Sequence, residues 1–414
     1  MSFQQGLSGL DGASKMLEAI GNNVANSSTV GYKQSHVQFS DIYAGTLLGS
    51  GSSQIGIGTQ VARVAQLFSQ GNVTASANPL DMAINGNGFF RMNDNGAISY
   101  TRNGQFQPTK EGYIVNAAGA RLTGYLADAN GVIQTGSPAD IMISRADLPP
   151  RATDTYELGV KLDSREDAKV AANFDPDDPT TYTHATSAPV FDSLGNDHQL
   201  KTFYVKTGPN AWSVFATNDG VPVTMVPATT PQGLIATMTF SGNGGALTTT
   251  VPNPIVIPMD VTTGATTPFN ITLDPTQTQQ MAGEFGLSKQ QPNGFASGML
   301  RDFNVSDNGM IVGRYTNGQV SVLGQVILSN FANPNGLQNV GDNQWVETAE
   351  SGVPMTSTPG TSGLGAVQSS RIEESNVDLT AELVNMITAQ RYYQANAQTI
   401  KTQDQIMQTL VNLR

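Results

Sequence analysis

The sequence predicts a multidomain α+β protein: an N-terminal and a C-terminal helix paired in a coiled-coil-like domain, and two mainly β domains nested concentrically between them. Three observations point there. The first and last segments carry apolar residues at helical spacing. The stretch from residue 366 to 414 contains neither Gly nor Pro, in a chain that otherwise spreads 43 Gly and 21 Pro along its length. Asn-Gly and Ala-Gly pairs recur at short intervals in the middle, the pattern of strands joined by tight turns. At 414 residues the chain exceeds what one core normally serves, so more than one domain is expected.

In the first segment, residues 1–26, Phe3, Leu7, Leu10, Leu17 and Val24 fall on alternating three- and four-residue steps, and Ala13 and Ile20 widen the stripe. Gly6, Gly9 and Gly12 each cost roughly 1 kcal/mol relative to Ala, so this helix needs a partner. In the last segment, Leu379, Leu383, Met386, Tyr393, Ala397, Ile400 and Met407 repeat at heptad spacing, with Ile387, Ile406 and Leu410 in a second row. Ser375 and Asp378 read as a helix start of the Ser-x-x-acid kind. A helix from about Asn376 onward is on the order of 55 Å long at 1.5 Å per residue. Polar Gln390 and Asp404 on the seam would set register. The broad stripe exceeds what one short helix covers, so its remaining face should seek neighbouring molecules, and Phe3, Leu7, Leu10, Leu17, Ile20, Val24, Leu379, Leu383, Met386, Tyr393, Ile400, Met407 and Leu410 read as the assembly interface.

Between the helices, residues 27–70 and 361–375 read as an extended linker region with one hairpin, and Val61 to Phe68 as a strand. Residues 71–146 and 291–360 read as an inner β domain, with turn signals at Asn85-Gly86, Asn95-Gly96, Asn103-Gly104 and Ala118-Gly119. Residues 147–290 read as an inserted outer β domain, opened by Leu148-Pro149-Pro150, whose Pro-Pro pair breaks a helix. Residues 1–26 and 376–414 complete the scheme as the terminal helical domain.

Composition excludes several classes of function. A net charge of −12 opposes sequence-independent binding to nucleic acid or anionic membrane. No apolar run reaches membrane-spanning length, and residues 1–10 lack the pattern of a cleavable secretory signal. With no cysteine there is no disulfide, thiolate metal site or Cys nucleophile. Gly86-Asn87-Gly88 lacks the spacing of a phosphate loop. Asp175, Asp177 and Asp178 read as an acidic loop, for Pro176 and Pro179 constrain the backbone and no bidentate Glu follows at Ca²⁺-loop spacing. His36, His184 and His198 form no metal-like pair, and Asp192 and Asp197 read as turn chemistry around Gly195-Asn196. No catalytic, metal or cofactor-binding residue is expected.

The run Gly21 to Lys33, with Asn22, Asn23, Ala25, Asn26, Gly31, Tyr32 and Lys33, resembles the N-terminal signature of the bacterial flagellar rod and hook family. At the other end Asn376, Asp378, Glu382-Leu383-Val384, Gln390, Arg391 and Asn396 look like the family's C-terminal signature. The body, with Val190 to Asn196, Phe203 to Thr207 and Trp212, and later Leu323 to Val326, Asn330 to Pro334 and Gly341 to Trp345, is similar to the hook branch. The resemblance implies a structural, non-enzymatic subunit that polymerises with itself into a curved, flexible tube transmitting motor torque. It further implies export by the flagellar type III apparatus, a place in the extracellular hook, and distal rod, hook cap and hook-filament junction proteins as partners. A rod subunit of the same family is one alternative, favoured by a short or absent outer domain. A secreted β-rich adhesin is another, and it would keep its binding without residues 376–414.

Overall fold

The structure is a computed structural model that describes residues 2–42, 56, 58–128, 131–144, 146–225 and 227–412. Helix α1 spans Ser2–Ala25 and helix α2 spans Leu379–Asn412; among the described residues every other regular element longer than a single short turn of 3-10 helix is a strand. The chain divides into two compact units. The larger comprises Met1–Arg145, Asp302–Gly313 and Val320–Arg414; the smaller comprises Ala146–Arg301 and Arg314–Gln319. Among the described residues no helix is long and apolar enough to cross a membrane.

In the larger unit, strands lie side by side in the order Val320–Val326, Arg121–Leu126, Phe89–Asp94, Ala97–Thr101, Gln344–Val346 and Gln338–Gly341. Phe89, Tyr100, Phe331 and Trp345 are buried together, edge to face, and Trp345 Nε1 donates to Gln66 Oε1 at 2.6 Å. Two of the sequence's turn signals make hairpins. Asn95 and Gly96 both take positive φ, 50° and 98°, the primed turn that matches strand twist, and join Phe89–Asp94 to Ala97–Thr101. Asn116 to Ala120 closes the second, around Ala118-Gly119. The other two do different work. Asn85 ends a strand, Met82–Asn85, that pairs with Ala366–Ser369 rather than with its sequence neighbour. Gly104 sits where an added Cβ would lie 1.6 Å from the Met82 carbonyl oxygen, so its glycine serves close backbone approach.

Strand Ser35–Ile42 pairs antiparallel with Gly58–Gln66, which places the second strand three residues earlier than Val61. Residues 361–375, read as linker, contribute two short strands, because Ala366–Ser369 and Arg371–Glu373 find ladder partners in Met82–Asn85 and Val73–Ala75. Helix α2 begins at Leu379, not Asn376. Asp378 is itself the cap, its Oδ1 accepting from the backbone N–H of Thr380 at 2.9 Å and of Ala381 at 3.2 Å.

The smaller unit is a β-sandwich. A five-stranded sheet built around Thr155–Asp163 and a six-stranded sheet built around Asp197–Gly208 and Ala211–Asn218 share one apolar core that includes Leu158, Val190, Trp212, Met238 and Ile271. Asp192, read as turn chemistry, is a turn anchor. Its carboxylate accepts from the backbone N–H of Leu194 and of Asn196, each at 2.9 Å, and from Thr263 Oγ1 at 2.6 Å. The buried His198 ring lies between Asp219, 2.8 Å from Nδ1, and Asp192, 3.5 Å from Nε2. Burial opposes its charge, but the two carboxylates outweigh burial and raise its pKa above the ordinary value.

A raised pKa in the folded state means that protonated His198 stabilises the sandwich. That contribution is fully present below about pH 6.5 and is lost as pH rises through the folded-state value above it. Urea unfolding between about pH 5 and about pH 8 should show stability of the smaller unit falling over that window, and His198→Gln should flatten the slope.

Candidate functional site: the paired termini

Helices α1 and α2 pack antiparallel. A Cβ at Gly6 would meet Ile400 Cγ1 at 3.1 Å, one at Gly9 would lie 2.7 Å from Asn396 Oδ1, and further along Asn23 donates to Glu382. The face that α1 turns inward is therefore made of small residues: Gly6, Gly9 and Ala13, then Ile20 and Asn23. Glycines that weaken an isolated helix let two backbones approach. On α2 the inward face is Glu382, Met386, Ala389, Asn396, Ala397 and Ile400, with Glu382 and Ala389 fully buried.

This rotates the seam read from the sequence. Of the residues read as the assembly interface, Ile20 is buried and Leu10, Leu17, Val24, Met386 and Ile400 are half-buried. Phe3 and Leu7 are 51% and 52% exposed, and Leu379, Leu383, Tyr393 and Met407 are exposed too. So are Val384 and Ile387 beside them, and Ile406 farther along α2. The Leu410 side chain lies outside the described residues. Gln390 and Asp404, expected on the seam, are exposed, because the small residues of α1 select the neighbouring row of α2. Periodicity finds apolar rows; it does not say which row the partner's shape accepts.

Most of the signature residues converge where the helices meet the strands of the larger unit. Asn22 Oδ1 accepts from Asn26 Nδ2 and from the Tyr32 hydroxyl, both at 2.9 Å, holding the turn after Ala25, which is itself exposed. Asn23, buried, accepts from the Ser35 N–H at 2.9 Å and donates to the Ser35 carbonyl at 2.8 Å and to Glu382 Oε2 at 3.2 Å. Gly31 has φ +72°, and a Cβ there would lie 2.6 Å from the Asn103 nitrogen, so only glycine fits. Burial raises the Tyr32 hydroxyl pKa.

Lys33 is fully buried. Its Nζ donates to Glu373 Oε1 at 2.6 Å and to the Ser69 carbonyl at 2.7 Å, while Arg102 Nη1 reaches Glu373 Oε2 at 3.1 Å. Burial pushes the pKa of both cations below their ordinary values, against the pull of Glu373. Asn376 Oδ1 accepts from the Gln34 N–H at 2.8 Å, and its Nδ2 donates to the Leu67 carbonyl at 2.7 Å. Gln390 and Arg391 stay on the exposed surface of α2.

Sequence reasoning missed Glu373, Arg102 and Gln34 as members of this cluster. The available signal was Lys33 itself: a lysine fixed in a signature, with no acidic residue between Glu18 and Asp41 to pair it, calls for a distant carboxylate. Among the described residues no group of three or more His, Cys, Asp or Glu side chains could hold a metal ion.

Two substitution experiments follow from this geometry. Lys33→Ala leaves Glu373 buried with one cation fewer and should cost about 3–5 kcal/mol, measured by denaturant unfolding of the larger unit. Gly9→Ala should weaken α1–α2 pairing through its clash with Asn396, seen as faster proteolysis of the termini, and Asn396→Ala should restore protection to the Gly9→Ala chain.

Four family patterns match successive parts of the chain. Residues 3–33 match the pattern described as flagella basal body rod protein, and 83–156 the flagellar hook protein FlgE/F/G D1 domain. Residues 161–295 match the flagellar basal body protein FlaE D2 domain, and 368–413 the flagellar basal body rod FlgEFG protein C-terminal. The flagellar hook protein FlgE of Escherichia coli strain K12 is 39% identical over 100% of both chains, and that of Salmonella typhimurium is 40% identical over 100% of both. The crystal structure of Helicobacter pylori flagellar hook protein FlgE2 is similar in fold, with TM-score 0.54 at 13% identity, covering 71% of this chain and 99% of that one.

Proposed function

Because the chain belongs to the bacterial flagellar hook protein family, we propose that it builds the hook wall through the apolar faces that α1 and α2 leave open. The protein is a structural subunit of the hook, not an enzyme, and it assembles with copies of itself. Its relatives match end to end as hook proteins, so neither a rod subunit nor an adhesin is favoured.

The observation that carries the reading is the exposure of large apolar side chains on two helices that are already paired: Phe3 and Leu7 on α1, and Leu379, Leu383, Val384 and Ile387 on α2. Fully burying one such side chain contributes about 1.5–3 kcal/mol, so several of them on a repeating contact offset the ordering cost of association. The inward small-residue face then serves folding of each copy, and the outward rows serve contacts between copies. Leu10, Leu17, Ile20, Val24, Met386, Tyr393, Ile400 and Met407 take part in one set or both.

Residues 147–290 would form an outer domain inserted in an inner one, meeting neighbours through surfaces poor in charge, for only 13% of the chain is charged. Such surfaces suit contacts that slide as a curved hook turns. The distal rod, hook cap and hook-filament junction proteins, together with the type III export apparatus, would be its flagellar partners.

Replacing Leu383 and Ile387 together with Asp should abolish polymerisation followed by light scattering and electron microscopy. The β signal in circular dichroism should stay unchanged, because neither side chain is buried in the single copy. A chain lacking residues 376–414 should fail to polymerise as well. Normal polymers from the doubly substituted chain would overturn the assignment of this face.

A further inference from the structure

The chain contains ten Asn-Gly pairs, and Asn130 lies outside the described residues. Asn-Gly is the dipeptide most open to spontaneous loss of the side-chain amide, because glycine puts no Cβ in the way of its own nitrogen. The backbone nitrogen of Gly, deprotonated, attacks Cγ of Asn; a five-membered succinimide forms and ammonia leaves. Water then opens the ring at either carbonyl, giving Asp or isoaspartate. The net change is one water consumed and one ammonia released, with no oxidant or reductant. The step requires a side chain free to rotate and a glycine N–H free to lose its proton.

Most of the pairs fail one requirement or the other. Asn293 Oδ1 accepts from the N–H of Asp154 and of Thr155, Asn103 Oδ1 accepts from Gln105, and Asn317 Oδ1 accepts from Gln319. These side chains are tied to the backbone. At other pairs the glycine nitrogen is engaged: Gly86 donates to Gln70, Gly96 to Asn93, Gly309 to Ser306, Gly318 to Tyr315 and Gly336 to Asn333. Gly88 is buried against Leu364 and Leu328.

Asn243-Gly244 differs on every count. Both residues are exposed, in the loop Ser241–Ala246 that joins strands Leu234–Phe240 and Leu247–Val251. Among the described residues neither the Asn243 side chain nor the Gly244 N–H has a hydrogen-bond partner, while the Asn243 backbone N–H and carbonyl are both held by Ser241 Oγ at 3.1 Å. Nothing lies within 4 Å of a Cβ built at Gly244, and Gly242 and Gly245 flank the pair. We propose that Asn243 is a site of spontaneous deamidation, converted to Asp and isoaspartate in long-lived copies of the protein.

The consequence is local and directional. Each conversion adds one negative charge to a chain already at −12. Isoaspartate also inserts a methylene into the backbone of a hairpin closed by the Ser241 N–H on the Ala246 carbonyl at 2.8 Å, next to an edge strand of the six-stranded sheet. The inference is independent of how copies assemble.

The test is peptide mass spectrometry of the full native chain incubated at mildly alkaline pH, with an isoaspartate methyltransferase assay on the same digests. The conversion at Asn243 should exceed that at Asn103, Asn293, Asn308 and Asn317 by about tenfold or more, the ratio given by ~1.4 kcal/mol in barrier. In the chain unfolded by urea these sites should converge. A native rate at Asn243 no greater than at the tied sites overturns the proposal, and so does the same ranking in the unfolded chain, which would assign it to local sequence instead of the fold. Asn243→Gln should remove the signal from that peptide alone.

Discussion

The buried carboxylate of Glu373 is the constraint on which the larger unit depends. It stands fully out of water with Lys33 on one oxygen and Arg102 on the other, and the Gly71 N–H also donates to it at 3.0 Å. A carboxylate in that position is costly unless each lone pair is met. The three donors come from three separate stretches of chain: the turn after α1, the start of the strand at Val73, and the end of the strand at Thr101. Lys33 and Glu373 lie 340 residues apart in sequence. Meeting the charge therefore brings the segment leaving α1 and the segment entering α2 to one place on the β unit. The backbone confirms the same junction, with Gly31 N–H on the Glu373 carbonyl and the ladder Val73–Ala75 against Arg371–Glu373.

From that anchor the helices run out as a pair that is poor in cohesion by its own means. The α1 face that meets α2 is glycine-rich, which permits close approach but contributes little apolar area. The larger apolar side chains are elsewhere on both helices. A pair held by small residues and a few polar locks, of which Asn396 in the notch at Gly9 is one, is specific in register and weak in energy. Burial of the outward rows in a neighbour then adds the stability that the single copy lacks, which couples helix ordering to association.

How much of this was legible depended on the range of the interaction. Both helices were legible, since their periodicity is local and the absence of Gly and Pro after residue 366 sharpens the second. The hairpin at Asn95-Gly96 was legible because its chemistry sits in two adjacent residues. Asn85-Gly86 and Asn103-Gly104 carry the same dipeptide yet serve a long-range strand pair and a close backbone contact, and the dipeptide alone does not separate these uses. The cluster at Glu373 was legible only in half: the signature marked Lys33, but its partners are set by topology. Gln390 and Asp404, expected on the seam, lie outside it for a related reason. Counting apolar residues locates surfaces able to bury area, whereas the inner contact was decided by the absence of side chains at Gly6 and Gly9.

The smaller unit is held by different physics. Its core is a contiguous sandwich of aliphatic and aromatic side chains, and its buried carboxylates serve its turns and loops. Asp192 anchors its own turn and Asp219 accepts from the Gln199 N–H of the neighbouring strand, each meeting His198 on the way. Burial disfavours ionisation of Asp192, but the donors from Thr263, Asn196 and Leu194 outweigh it and hold the carboxyl below the usual range. Buried charge pairing thus governs the unit that bears the termini, and hydrogen bonding to turn carboxylates governs the loops of the sandwich. Substitutions in the two units that share no partners should therefore add in stability. Loops such as Ser241–Ala246 are closed by their own hydrogen bonds, so change there, in sequence or by slow chemistry, acts first on the hairpin that carries it.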